Sequence, residues 1–245
     1  MSIFSRIKIL SAFELKILAC VFMFIDHLGV VLFPEYELMR IVGRLAYPIF
    51  AYFIAQGCRY TKNKLRRFLN VFILGVICEA VYVLFMGSYF GNILLTFSVS
   101  IILIYVVSKA RCEYAKNRLY GGFYFALFAI LLTATGFYCK YVGLDYGFFG
   151  VMSPVVLTML DKNFSNTEKS LWYNSQEFSL LLFTCSLILI AVFENLPYYQ
   201  MYSLLAVLLL MMYNGKKGKY SFKYGFYLFY PLHLLLINGV AMILK

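Results

Sequence analysis

A succession of long apolar stretches constrains this chain more than any other feature of its sequence. Each stretch approaches the length needed to cross about 30 Å of hydrocarbon at about 1.5 Å per helical residue. With 63% hydrophobic and 13% charged residues and a mean hydropathy of +0.80, the chain is too apolar for one soluble core. The sequence therefore predicts an all-α, polytopic integral membrane bundle of about nine transmembrane helices. These cover 14–33, 38–58, 68–87, 92–108, 120–138, 146–160, 178–195, 198–213 and 224–244.

The segments that connect these helices predict the orientation of the chain. Positively charged loops stay on the cytoplasmic side of a membrane. If the N-terminus is inside, 18 of the 22 Lys and Arg residues fall on the inner side. We therefore expect a cytoplasmic N-terminus, one transmembrane domain over 1–245, and a location in the cell membrane, as in the cytoplasmic membrane of a bacterium. The inner segments are the N-terminal region up to Lys16, 59–67, 109–118, 162–169 and 216–223.

The net charge of +11 is explained by the same topology, because basic residues at the inner surface meet anionic lipid headgroups. No nucleic-acid partner is expected. One basic cluster is dense enough for a second interpretation, in which its side chains bind the phosphate groups of a cosubstrate at the inner surface. It consists of Arg59, Lys62, Lys64, Arg66 and Arg67.

Polar residues inside the predicted helices are few, and they define the candidate site. An ionisable side chain in hydrocarbon is expensive and indicates a functional site by default. Counting the helical rise from each interface places His27, Arg44, Glu79 and His233 within about one to two turns of the midplane, where they can face one cavity. The full set is Asp26, His27, Arg40, Arg44, Gln56, Glu79, Asn92, Thr96, Asn195 and His233, with Asp145 at a boundary.

Helix geometry limits what Asp26 can do. Its side chain diverges by about 100° from that of His27, so it is poorly placed to orient the imidazole. Pairing with an arginine is the better expectation, since Arg40 and Arg44 are four residues apart and share a helix face. An ion pair would let both charges persist in a low dielectric. The alternative is that these charges only hold the first two helices together.

His27 and His233 are the only histidines in the sequence. A neutral imidazole near pH 7 can take a proton from an amine or a hydroxyl, which is what a general base must do. A packing role, with the ring hydrogen-bonded to a neighbouring helix, is the alternative. Metal binding is less favoured, because the sequence has no histidine pair at helical spacing and no cysteine ligand set.

Two neighbouring stretches resemble a known family. LKILACVFMFIDHLG (15–29) and MRIVGRLAYPIFAYFIAQG (39–57) resemble the opening helices of TraX-like proteins, which are named for the membrane enzyme that N-acetylates F-type pilin. Shorter stretches at 92–96, 145–151 and 230–233 also look like that family. The Asp-His pair together with the Gly-Arg-Leu-Ala-x-Pro element is the specific part of the resemblance.

The resemblance implies transfer of an acetyl group from acetyl-CoA to an amine, such as the N-terminus of a small exported or membrane-associated peptide. In that scheme the basic cluster holds the CoA phosphates. His27 deprotonates the amine or carries the acetyl group, and Arg44 or Arg40 offsets charge on the thioester oxygen. His233 serves as a second acid/base or as a hydrogen-bonding partner. Glu79 is a further candidate near the acceptor, and no metal is expected.

Two other classes of protein remain open from the sequence. A transporter or channel would also place Asp, His and Arg inside the bilayer, as a substrate pathway or proton relay. Against it, the two halves of the chain show no internal repeat, which transporters often carry. A non-catalytic assembly or tethering protein would have little need of clustered intramembrane charge.

Overall fold

The computed structural model describes residues 8–89, 91–159, 176–194, 196–220 and 223–244. Within these ranges the chain is helical and has no β-strand; one isolated parallel bridge joins Leu10 to Tyr213. The predicted inner loop 162–169 and the intramembrane Asn195 lie outside the described residues.

Each predicted apolar stretch coincides with helix, and two of them are divided. The stretch 38–58 is interrupted by a turn at Arg44 and Leu45, and 198–213 begins as a 3₁₀ helix and continues as an α-helix. The helices are α1 (Ala12–Val31), α2 (Glu37–Gly43), α3 (Ala46–Tyr60), α4 (Lys64–Met86), α5 (Ile93–Lys116), α6 (Arg118–Tyr141), α7 (Gly147–Met159), α8 (Gln176–Phe193), the 3₁₀ helix (Tyr198–Leu204), α9 (Leu205–Met211) and α10 (Lys223–Leu244).

Four helical segments in the described part of the chain are long and apolar enough to cross a membrane. They are Glu37–Tyr60, Lys64–Leu84, Ile93–Lys116 and Arg118–Tyr141. Four further apolar helical segments have 10–17 residues, namely Gly147–Met159, Phe178–Phe193, Tyr198–Met211 and Leu228–Leu244. Helix α1, with 20 residues, carries three charged side chains: Glu14, Lys16 and Asp26. These properties are those of a membrane protein.

The chain divides into two compact units, with boundaries inside α3 and just before the 3₁₀ helix. The first unit joins Met1–Phe53 to Pro197–Lys245, and the second is Ile54–Leu196. In the first unit α1 packs against α2 and α10, and the 3₁₀ helix packs against α2 and α9. In the second, α5 packs against α4, α6 and α7, and α7 against α8.

The turn at Arg44 has a local cause in the sequence. Pro48 has no backbone N–H, so it cannot donate to the carbonyl of Arg44 as a continuous helix would require. Pro48 instead occupies the first turn of α3, where a missing N–H is tolerated. The interruption leaves Arg44 as the C-terminal capping residue of α2.

Candidate active site

The two histidines meet in the first unit. Nδ1 of His27 lies 2.8 Å from the carbonyl oxygen of Met23 and 3.2 Å from Nε2 of His233. Nδ1 of His233 lies 2.8 Å from the carbonyl oxygen of Phe229. Because a carbonyl oxygen only accepts hydrogen bonds, each Nδ1 of the neutral pair is assigned the hydrogen.

This assignment defines the tautomer of both rings. Nε2 of His233 is an acceptor, and it lies within hydrogen-bonding distance of the Nδ1–H of His27. Nε2 of His27 then keeps a lone pair, which can take a proton. The resulting imidazolium would still donate through Nδ1 to His233 and to the backbone of Met23.

Aromatic contacts hold His233 in place. Its ring stacks on Phe229 with centroids 4.7 Å apart and planes 10° apart, and Tyr230 lies edge-on at 5.7 Å. His233 is buried, whereas His27 is partly exposed. The imidazole of His233 is therefore the more constrained of the two, and that of His27, which carries the available lone pair on Nε2, is the more accessible.

Asp26 forms the centre of a buried ion cluster next to His27 along α1. Its Oδ2 lies 2.9 Å from Nη1 of Arg40 and 2.5 Å from Nη2 of Arg44. Arg40 also donates to the backbone oxygen of Asp26 at 3.2 Å. The expected pairing of Asp26 with an arginine is thus present with both candidates, and these three side chains together carry one excess positive charge.

The cluster depends on a close approach between α1 and α2. A side chain at Gly43 would overlap the carboxyl group of Asp26, and a Cβ at Gly29 would lie 2.9 Å from that of Met39. Glycine at these positions lets the two helices come close enough for the arginines to reach Asp26. Tyr199 completes the site, with its ring centroid 5.7 Å from the Arg40 guanidinium and 5.8 Å from that of Arg44.

Sequence reasoning missed Gln200, which contacts the cluster directly. Nη1 of Arg44 donates to Oε1 of Gln200 at 3.4 Å, and Gln200 is fully buried. A glutamine near the start of an apolar stretch is usually an interfacial residue, so the sequence gives little signal that it contacts Arg44. Its place on the 3₁₀ helix beside α2 explains the contact.

Glu79 belongs to the second unit and has partners there. Its carboxylate accepts hydrogen bonds from the backbone N–H of Gly91 at 3.1 Å and of Asn92 at 3.0 Å, and from the Asn92 side chain at 2.8 Å. Asn92 also caps α5 through Leu94. These contacts tie α4 to the start of α5, and the role of Glu79 near the acceptor stays a prediction.

The basic cluster of 59–67 forms the connection between α3 and α4 in the second unit. Lys62, Lys64 and Arg66 are exposed, and Asn63 caps α4 by accepting from the backbone N–H of Arg66 at 2.9 Å. Arg67 turns back and donates to the carbonyl of Ile54 at 3.1 Å. Of the five predicted phosphate-binding residues, Arg59 and Arg67 are partly buried, so the three exposed ones suit an anionic ligand best.

The comparison with protein families identifies the same family that the sequences of the opening helices resemble. The family model described as TraX protein matches residues 11–241. The chain belongs to the TraX family. The resemblance seen in the sequence is confirmed, and in this TraX chain the Asp-His pair and both arginines of the matching elements lie in one unit.

Two curated relatives match this TraX chain. The probable fimbrial assembly protein FimC, serogroup H1, of Dichelobacter nodosus is 26% identical over 260 residues, covering 96% of this chain and 97% of that protein. An uncharacterized protein of Rickettsia prowazekii (strain Madrid E) is 33% identical over 135 residues, covering 54% of this chain and 49% of that protein. No solved structure matches. The TraX family is thereby linked to fimbrial assembly.

Proposed function

We propose that this TraX protein is a membrane-embedded acetyltransferase that moves an acetyl group from cytosolic acetyl-CoA to an amine. The observation that carries the proposal is the His27–His233 contact, because it leaves Nε2 of His27 with a lone pair and a hydrogen-bonded imidazole behind it. This is the arrangement of a general base whose orientation is held by a second group.

The proposed reaction begins when Nε2 of His27 accepts a proton from the attacking amine. The amine nitrogen forms a bond to the carbonyl carbon of the thioester, and the carbonyl electron pair moves to oxygen. Arg44 or Arg40, with the excess positive charge of the Asp26 cluster, offsets the negative charge on that oxygen. The carbon–sulfur bond then breaks, and His27 returns its proton to the CoA thiolate.

For the donor, the exposed basic residues between α3 and α4 support binding of the CoA phosphates. Lys62, Lys64 and Arg66 lie beside the N-terminus of a 23-residue helix, where backbone N–H groups and the helix dipole favour anions. Arg59 and Arg67 of the same cluster add positive charge close by.

For the acceptor, we propose the N-terminal amine of a small exported or membrane-associated peptide. The name of the Dichelobacter relative, a probable fimbrial assembly protein, supports a fimbrial subunit or a similar peptide as the acceptor. The protein acts in the cell membrane in this proposal, as a multi-pass protein of about nine spans with its N-terminus in the cytoplasm and basic loops at the inner face.

The test is an acetyl-transfer assay with purified protein. The protein is given labelled acetyl-CoA and a peptide with a free N-terminal amine, and the products are analysed by mass spectrometry. We expect acetylated peptide and free CoA in equal amounts. A transporter or channel would leave acetyl-CoA intact and move a solute into liposomes, and that result would refute the proposal.

A further inference from the structure

Gln200 and Ser203 present two buried polar groups on one face of the 3₁₀ helix. A 3₁₀ helix has three residues per turn, so side chains three residues apart lie above one another. Both side chains are 0% exposed. Gln200 contacts Arg44, so this polar face begins at the ion cluster of Asp26.

The amide of Gln200 has a forced orientation. A guanidinium has N–H donors and no acceptor, so the amide atom that faces Arg44 must be the oxygen Oε1. The amide nitrogen Nε2, with its two N–H groups, is therefore directed away from Arg44.

Both groups are left without a partner in the part of the chain that the structure describes. Nε2 of Gln200 and Oγ of Ser203 are buried and have no hydrogen bond to any described residue. Buried serine hydroxyls elsewhere are satisfied, as at Ser108, which donates to the carbonyl of Ile104. Unsatisfied buried donors are rare in folded proteins and indicate a ligand, an ordered water or a catalytic role.

The chemistry of these groups selects the kind of ligand. An amide –NH₂ is a donor only, and a hydroxyl can donate. The neighbouring cluster has two guanidinium groups and one carboxylate, so it is positive. Donors beside a positive charge suit an oxygen atom that holds or develops negative charge.

We propose that Gln200 and Ser203 are catalytic residues that donate hydrogen bonds to the acyl carbonyl oxygen during transfer. This inference rests on the proposed function. As the amine–carbon bond forms, the carbonyl electron pair moves to oxygen, and that oxygen accepts from Nε2–H of Gln200 and Oγ–H of Ser203. The carbonyl reforms when the carbon–sulfur bond breaks and the thiolate leaves.

The first test uses Ser203→Ala in the full-length protein, with kcat and Tm both measured. Loss of one donor to a developing oxyanion is expected to lower kcat about 10²-fold. Tm should stay the same or rise, because the substitution removes an unsatisfied buried hydroxyl. Ser108→Ala is the matched control and should leave kcat unchanged. Unchanged kcat in Ser203→Ala would overturn the role of Ser203.

The second test separates a donor role from a role in holding Arg44. Gln200→Glu keeps an oxygen for Arg44 and removes the N–H donors, and it also cancels the excess positive charge of the cluster. Gln200→Met removes the oxygen and the donors at similar volume and leaves that charge unchanged. Both variants are expected to lose kcat by about 10²-fold. Full kcat in Gln200→Glu together with a loss of kcat in Gln200→Met would overturn the donor role of Gln200. If Ser203→Ala lowers Tm, so that its kcat cannot be interpreted, the two Gln200 variants still test the proposal.

The same experiments distinguish failure of this inference from failure of the proposed function. If the wild-type protein transfers acetyl groups and the Gln200 and Ser203 variants match it, the inference alone is wrong. If the wild-type protein produces no acetylated peptide, both are wrong.

Discussion

Among the described residues, His27 is best placed for the proposed role of general base, because both of its ring nitrogens have a defined position in the hydrogen-bonding network. Nδ1 is held by Met23 and His233, so the lone pair lies on Nε2. His233 is buried and fixed by stacking, which suits a residue that orients its neighbour. The assignment of roles between the two histidines follows from this difference in burial and in hydrogen bonding.

We predict that His27→Ala folds and inserts but loses about 10²–10⁴-fold in acetyl transfer, since the proposed acceptor of the amine proton is removed. His233→Phe keeps the aromatic packing and should lose less activity, because it removes only the acceptor behind His27. Turnover of both variants in the labelled acetyl-CoA assay checks this. Full activity in His27→Ala would remove this residue from the mechanism.

At the residue scale the sequence predicted the ion pairing of Asp26 with an arginine, but it did not predict the contact of Gln200 with Arg44. The spacing of Arg40 and Arg44 was enough to predict their pairing with Asp26, since four residues make one helix face. Gln200 was not predicted, because an uncharged glutamine near the start of an apolar stretch resembles an interfacial residue, and its contact with Arg44 depends on how the 3₁₀ helix packs beside α2. The catalytic roles themselves stay predictions.

The contact between α1 and α2 depends on the absence of a side chain at one position. We predict that Gly43→Ala lowers both Tm and activity, because a Cβ there would overlap the Asp26 carboxyl group and push the helices apart. Thermal unfolding in detergent and the transfer assay measure the two effects.

Gly239→Ala is the matched control for Gly43→Ala. Gly239 lies within α10, and a Cβ at this position would meet nothing within 4 Å. Alanine there should leave Tm unchanged or raise it, since glycine is less favourable by about 1 kcal/mol in a helix interior. Equal effects of the two substitutions would contradict the close-approach role of Gly43.

The connection between α3 and α4 should control affinity for the donor. Changing Lys62, Lys64 and Arg66 together to Gln is expected to raise KM for acetyl-CoA by about tenfold or more, with little change in kcat, because charge-assisted hydrogen bonds to phosphate would be lost. Initial rates over a range of acetyl-CoA concentrations measure this.

Two comparisons make the result at this connection interpretable. Arg67→Gln should lower Tm, because its guanidinium bonds the Ile54 carbonyl and packs where Gly57 leaves space. Lys219→Gln, at an exposed basic position outside the cluster, should leave KM unchanged. If the triple variant has the KM of the wild type for acetyl-CoA, the basic cluster sets the orientation of the chain in the membrane and does not bind the donor.

At the element scale the apolar stretches were predicted well and their interruptions were not. Hydrophobic length alone predicts one helix over 38–58, and the missing N–H of Pro48 is consistent with the end of α2 at Gly43. A proline does not by itself define an interruption, because α7 and α10 continue through Pro154 and Pro231. The 3₁₀ geometry at Tyr198–Leu204 has no comparable signal in composition. Both interruptions place a polar residue of the candidate site, Arg44 in one case and Gln200 in the other.

For the whole molecule, the predicted orientation in the membrane can be checked at two positions, one at each end of α6. In a variant whose native cysteines are replaced by Ser, we predict that Lys140→Cys reacts with a membrane-impermeant maleimide in intact cells, and that Lys116→Cys reacts only after permeabilisation. Both positions are exposed, and α6 has 24 residues, enough to span the hydrocarbon. Labelling of Lys116→Cys from outside would reverse the orientation.

The composition predicted a helical membrane protein, since a helix with apolar side chains satisfies its polar backbone groups internally, as the hydrocarbon of a bilayer requires. The division into two compact units was not foreseen, because the first unit combines Met1–Phe53 with Pro197–Lys245 and no local pattern marks such a partnership. The single domain over 1–245 stays a prediction of the sequence.

The two imidazoles that meet in the first unit are 206 positions apart in the chain. At a translation rate of about 5–20 residues per second, roughly 10 to 40 s separate the synthesis of one from that of the other. A nascent chain still attached to the ribosome before α10 has emerged therefore lacks the completed pair. In the proposed mechanism, the general base and its imidazole partner are therefore brought together only after α10 has been synthesised.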